Sequence, residues 1–176
     1  MKPSIDVDKS QMLGAATQPT KKRETMRKFN LKASGAIAAI LIGGTIAATI
    51  DYSWAVSMYG WGMARGIAAG LLGRDAFQGG TGTVLFGTAL HFFIMYGMAS
   101  VYFAASRQWI FMKQNWIVCG LLFGIVQFLV MNFVVLPLSA LHVVKDIVRF
   151  NMLRDIIVNM FIIGLPIAYS VKRFSK

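Results

Sequence analysis

The chain has 176 residues, 56% of them hydrophobic and 14% charged, against about 45–50% and about 25% in ordinary soluble domains. That excludes a water-soluble globular domain and points to an integral membrane protein. One cysteine, Cys119, and two histidines, His91 and His142, exclude an intrachain disulfide, a Cys/His zinc or iron–sulfur centre and a bis-histidine haem within one subunit.

No cofactor or metal is therefore expected, although two copies of His91 across a homodimer remain open as a haem pair. The net charge of +11 would suggest nucleic acid in a soluble protein. Here the basic residues gather at the ends of apolar runs, so the charge reports topology and lipid headgroups, and no nucleic-acid partner is expected.

Residues 1–32 are polar, contain Pro3 and Pro19, and lack sustained apolar periodicity. Such a segment cannot offset the entropy of ordering and reads as a disordered basic tail. Its last third, KKRETMRKFNLK, sets Lys21, Lys22, Arg23, Arg27, Lys28 and Lys32 against Glu24 immediately before the first apolar stretch. This juxtamembrane segment suits an anionic leaflet, each charge contributing about 1 kcal/mol near the surface. The apolar run behind it has spanning length, unlike the short core of a cleavable signal.

Four stretches long enough to cross ~30 Å of hydrocarbon follow, over about 33–56, 83–106, 116–138 and 152–171. Pro137 and Pro166 lie near span ends or require local repair of the helix. Trp54, Tyr59 and Trp61 close the first span, while Trp109 and Trp116 flank the turn between the second and third, as interfacial aromatics do.

Lys and Arg counting sets the orientation. The tail, the 107–115 turn and the C-terminal end hold 13 basic residues, whereas Arg65, Arg74, Lys145, Arg149 and Arg154 are the 5 on the opposite side. Both termini are thus expected in the cytoplasm.

The two outer connections carry helical patterns. In 61–74, Gly62, Gly66 and Gly70 recur beside Met63, Ile67 and Leu71, predicting a short helix held close against others. In 141–154, His142, Lys145, Asp146 and Arg149 share one face, predicting an amphipathic interfacial helix or an extension of span four. The stretch QGGTGT leads into span two with Thr81 or Thr83 as a cap, and it lacks the lysine of a phosphate loop.

Each span carries one strongly polar residue near its outer end. Asp51, His91, Asn132 and Asn159 lie about 8–12 Å below the outer boundary at helical rise, and Asp155 stands one turn above Asn159. Gly35, Ala39, Gly43, Ala47 and Asp51 recur every four residues, Gly120 and Gly124 lead toward Asn132, and Gly87 precedes His91 by four. Small-residue faces meet inside helical bundles, so these side chains are expected to point inward.

Two readings follow. In the first, Asp51 and His91, supported by Asn132, Asn159 and Asp155, bind or conduct a proton, small ion or polar solute, because a carboxylate beside an imidazole exchanges protons near neutral pH. In the second, the same groups fix helix register through interhelical bonds of roughly 0.6–2 kcal/mol each, in a structural or accessory protein that binds lipid or a protein partner. Cys119, among apolar residues, reads as inert packing, and Arg74 with Asp75 as a solvated turn. No nucleophile elbow, paired-carboxylate motif or HExxH supports an enzyme.

At IDYSWAVSMYG, IAAGLLGRDAFQGGTGTVLFGTALHFFIMYG, VMNFVVLPLS and GLPIA, the chain resembles a group of small, uncharacterised bacterial inner-membrane proteins with four transmembrane helices. The likeness covers most of positions 35–170. It implies a bacterial inner-membrane location and brings no activity or site residues with it. The expected architecture is all-α, a four-helix transmembrane bundle with short interfacial helices on the outer side. Its expected partners are the bilayer, anionic phospholipid headgroups and further copies of the chain in a homo-oligomer. Four spans make a thin wall, so any transport path would use such an oligomer.

Overall fold

A computed structural model describes residues 9–141 and 150–174. Helix α1 (Lys9–Tyr59) enters the bundle, α2 (Gly62–Leu72) is short, and a 3-10 turn (Arg74–Gln78) leads to α3 (Thr81–Gln108). A single turn, α4 (Phe111–Gln114), joins α3 to α5 (Trp116–Leu138). The final helix, α6, contains Phe150–Asn159, Met160–Gly164 and Leu165–Phe174 in unbroken succession. No strand occurs among the described residues. Four segments are long and apolar enough to cross a membrane: Ala33–Tyr59, Thr81–Gln108, Trp116–Leu138 and Met152–Phe174. The protein is an all-α, multi-pass membrane protein.

Two expectations change. Residues 9–32, expected as a flexible tail, continue α1 as helix. Lys, Arg, Glu and Met are good helix formers, and lengthening an existing helix avoids the cost of a new nucleus. Residues 1–8 lie outside the described residues. The fourth span runs three residues beyond Val171, to Phe174. The amphipathic segment predicted over 141–154 falls mostly at 142–149, outside the described residues, so His142, Lys145, Asp146 and Arg149 are not placed. From Phe150 onward the chain is helix continuous with span four.

Of the two expectations for the prolines, a place near a span end or a local repair of the helix, the structure shows a repair at both. Met131–Val135 in α5 and Met160–Gly164 in α6 are π turns, and each is followed by Leu-Pro: Leu136–Pro137 and Leu165–Pro166. Proline offers no N–H to the carbonyl four residues earlier and crowds it, so widening the preceding turn relieves the clash without breaking the span.

Small residues set the spacing of the bundle. A Cβ at Gly43 would lie 2.8 Å from Ser170, and one at Gly35 would lie 2.6 Å from the Phe174 carbonyl. These contacts run α1 antiparallel to α6. On the other side of α1, Thr45 bonds Tyr96 at 3.0 Å and Tyr52 bonds Thr88 at 2.6 Å, running it antiparallel to α3. Between α5 and α6, Gly120 meets the Gly164 carbonyl, and Gly124 meets the backbone of Asn159 and Met160.

The short connecting helix forms where predicted but packs on a different face. Ala64, Ala68 and Ala69 are buried, and Ala64 lies so close to Gly87 that only a glycine fits there. Of the glycine row, a Cβ at Gly62 would meet nothing within 4 Å among the described residues, while one at Gly66 would stand 3.8 Å from the Phe77 ring and one at Gly70 3.7 Å from Ser139. Alanine carries the contact because it keeps helix propensity while still permitting close approach. The Ala140 N–H donates to the Gly70 carbonyl at 2.9 Å, fixing the end of α2 to the end of α5. Neither Thr81 nor Thr83 caps α3 through its side chain.

Candidate functional site

Asp51 continues the row Ala39, Gly43, Ala47 along α1, where Gly43 touches α6. Ala48, one position around, belongs to the face turned to α3. Asp51 thus stands at the edge between the two contacts and reaches His91 of α3. Its Oδ2 lies 3.7 Å from His91 Nε2, with both side chains largely buried, at 17% and 9% exposure.

The same Nε2 is 3.2 Å from the Ala48 carbonyl. A carbonyl only accepts, so Nε2 carries the hydrogen in that bond and the imidazole needs no net charge to make it. The Tyr52 ring covers the imidazole, with centroids 5.4 Å apart, and its hydroxyl is held by Thr88. The Thr88 hydroxyl also reaches the Val84 carbonyl at 2.8 Å. This second layer fixes the position of the histidine.

The other predicted members divide. Counting eight residues along α1 from Gly43, which touches Ile167 and Ser170, brings Asp51 level with about Asn159–Ile162 on the antiparallel α6. Asn159 therefore shares the level of the pair, and α1 packs against the π turn that follows it. The Asn159 side chain, however, donates to the Asp155 carbonyl of its own helix at 2.7 Å.

Asn132 does not share that height. Gly124 is level with Asn159, and Asn132 lies eight residues further along α5, about 12 Å away at helical rise. Its side chain donates to the Phe128 carbonyl at 2.8 Å. The expected four-residue layer is corrected to Asp51, His91 and Asn159. Span ends are an unreliable ruler of depth, because each helix overhangs the bilayer by a different amount.

Asp155 does not join the pair either. Its carboxylate pairs with Arg154 at 3.2 Å, while Arg154 lies over the Trp54 ring at 5.6 Å and reaches the Tyr59 hydroxyl at 3.4 Å. These contacts make a separate aromatic and charged rim.

Gln127 is the residue that sequence reasoning missed. It is buried at 5% exposure, and its Oε1 has no hydrogen-bond partner among the described residues. Helical spacing could have found it. It follows Gly124 by three and Phe123 by four, and these touch α6 and the Tyr102 ring of α3 respectively. Its side chain is accordingly directed into the bundle interior.

At the opposite end, Arg173 lies over the Phe174 ring at 5.8 Å. Lys172 lies over the Trp116 ring at 5.1 Å. Burial, and then the neighbouring Arg107, hold the Lys113 ammonium below the ordinary lysine pKa. Of the basic residues expected at lipid headgroups, Arg23 and Arg27 are exposed on the N-terminal extension of α1. The side chains of Lys21, Lys22, Lys28 and Lys32 lie outside those described. Cys119 is a buried free thiol. No group of three or more His, Cys, Asp or Glu side chains gathers as a metal site among the described residues.

No protein-family model, curated protein or solved structure matches this chain.

Proposed function

We propose that the chain is a bacterial inner-membrane protein with both termini in the cytoplasm, and that the Asp51–His91 pair binds a proton or small cation within the membrane. The supporting observation is the contact itself: two titratable side chains from different spans, both largely buried, meet at 3.7 Å. Carboxylates and imidazoles inside a membrane are costly and are concentrated on ion and proton pathways. A histidine near neutral pH changes charge within the physiological range, so such a pair responds to protons. The orientation rests on the excess of Lys and Arg on the terminal side. On this reading Arg23, Arg27 and the neighbouring lysines contact anionic headgroups, and copies of the chain assemble as a homo-oligomer.

Asp51→Asn and His91→Ala test the reading in purified protein. Expression and oligomeric state should persist, while the pH dependence of thermal stability and of proton or cation flux in proteoliposomes is lost. If both variants instead weaken assembly and leave the pH and ion responses as in the parent, the pair serves assembly alone and the protein is a structural or accessory one.

A further inference from the structure

At the end of the bundle where α1 enters and α6 finishes, positive charge is left unbalanced. Arg107 stands in the last turn of α3, and Lys172 and Arg173 in the last turn of α6. Between Asp75 and Asp146, and again after Asp155, the sequence has no Asp or Glu. Glu24 of the α1 extension is no substitute. Gly35 meets the Phe174 carbonyl, and Glu24 lies eleven residues further out, about 16 Å at helical rise. Among the described residues, none of Arg107, Lys172 and Arg173 has a carboxylate partner. The dipole of α6 supplies only about half a negative charge at its C-terminus, which two cations exceed.

One of these cations is held in place by aromatic contacts. Lys172 Nζ lies 5.1 Å over the Trp116 ring of α5. Tyr169, one turn before Lys172, packs on the same indole with ring centroids 5.4 Å apart. Trp116 is itself packed against the hydrophobic core, so the ammonium and the phenol rest on a fixed wall across the contact between α5 and α6. An ammonium, an indole N–H and a phenol O–H are all hydrogen-bond donors. On α6, exposed Phe161, half-buried Leu165 and exposed Tyr169 recur every four residues, so an apolar row leads up to the donors.

We propose that Lys172, Trp116 and Tyr169 form a binding site for the phosphodiester of an anionic phospholipid, with an acyl chain along Phe161 and Leu165. Charge chooses the lipid. A zwitterionic headgroup brings its own cation and leaves the positive excess uncancelled, whereas an anionic one removes a unit of it. Basic sites between membrane helices bind such headgroups, and Trp and Tyr sit at the headgroup level. The site is separate from the headgroup contacts of the α1 extension and stands apart from the Asp51–His91 reading.

The test is the melting midpoint of the purified full-length protein in neutral detergent, titrated with phosphatidylglycerol, phosphatidylcholine or inorganic phosphate. Phosphatidylglycerol should raise the midpoint saturably and further than phosphatidylcholine does. Lys172→Gln should weaken its apparent affinity about fivefold, as loss of one basic residue at an anionic lipid surface does. Lys172→Arg, which keeps the charge and the stacking, should retain it. Tyr169→Phe removes only the hydroxyl and should also weaken it, which decides the case if Lys172→Gln fails to fold. Arg74→Gln, which removes one charge at the other end of the bundle, should change nothing.

Equal effects of the two lipids would overturn the proposal, as would a Lys172→Gln affinity equal to that of the parent. So would an equal loss in Arg74→Gln, which would mark attraction to net charge alone. A rise with inorganic phosphate matching that with lipid would overturn it in favour of a free-phosphate site. None of these variants alters Asp51 or His91, so failure here leaves that reading standing.

Discussion

Around Asp51 the bundle interior holds a carboxylate, an imidazole and the hydroxyls of Tyr52 and Thr88. Along the same stripe of α3, toward the 109–115 turn, it holds Met95, Ala99, Tyr102 and Ser106, backed by Ile163, Ile167 and Val171. Small residues bring α1 and α6 together in both regions, so backbone spacing is not what distinguishes them. The difference lies in side chains: one half is closed by large apolar groups, while the other leaves polar atoms facing one another. A charged group persists only where solvent or a counter-ion can reach it. The Tyr102 half is the densely packed floor of the bundle interior.

The largest expected effect comes from breaking that floor. Tyr102→Ala removes a fully buried ring packed on Phe123 at 5.0 Å, and a cost of about 3–5 kcal/mol is expected in reversible unfolding. Tyr102→Phe sharpens the point. The buried hydroxyl has no partner among the described residues, so its removal should leave stability unchanged or raise it.

Next in size is Gly124→Ala. The added Cβ would stand 2.5 Å from the Met160 Cα and 2.6 Å from the Asn159 carbonyl. Both are backbone, so α5 and α6 must separate, at about 1–3 kcal/mol or more. Gly97→Ala, where an added Cβ would meet nothing within 4 Å among the described residues, is the control and should not lower the melting midpoint.

A smaller effect separates the asparagines. Asn132→Ala removes a bond to its own helix far from the pair, at about 0.6–2 kcal/mol or less, and should leave the ion response intact. Asn159→Ala, level with Asp51, should alter that response.

The smallest concerns Lys113. Its folded-state pKa lies below its unfolded value, so between the two the unfolded chain binds more protons and stability rises with pH. A shallow rise in melting midpoint on approaching pH 10 should disappear in Lys113→Gln. Arg107→Gln, which removes one cause of the lowered pKa, should reduce it.

Sequence periodicity made much of this legible. The spans ended within a few residues of their predicted bounds, because length and hydropathy are local properties that bilayer thickness constrains. Asp51 and His91 could be paired in advance, since each continues a small-residue row that must face other helices. Asn132 stands at a different height from the pair because apparent span ends do not fix depth, which follows from contacts such as Gly124 against Asn159. Gln127 was overlooked since it interrupts an apolar run without any recognised motif. Its spacing from Gly124 and Phe123 nevertheless sets it on an inward face.

Amino-acid order alone determined the membrane class, the four spans and the connecting helix. All of these follow from interactions within a few turns of chain or with the solvent. Tertiary packing decided which polar groups meet, which face of α2 is buried and which acceptor is left unpaired. Those depend on helix rotation and relative height, which are set by contacts between residues far apart in the chain.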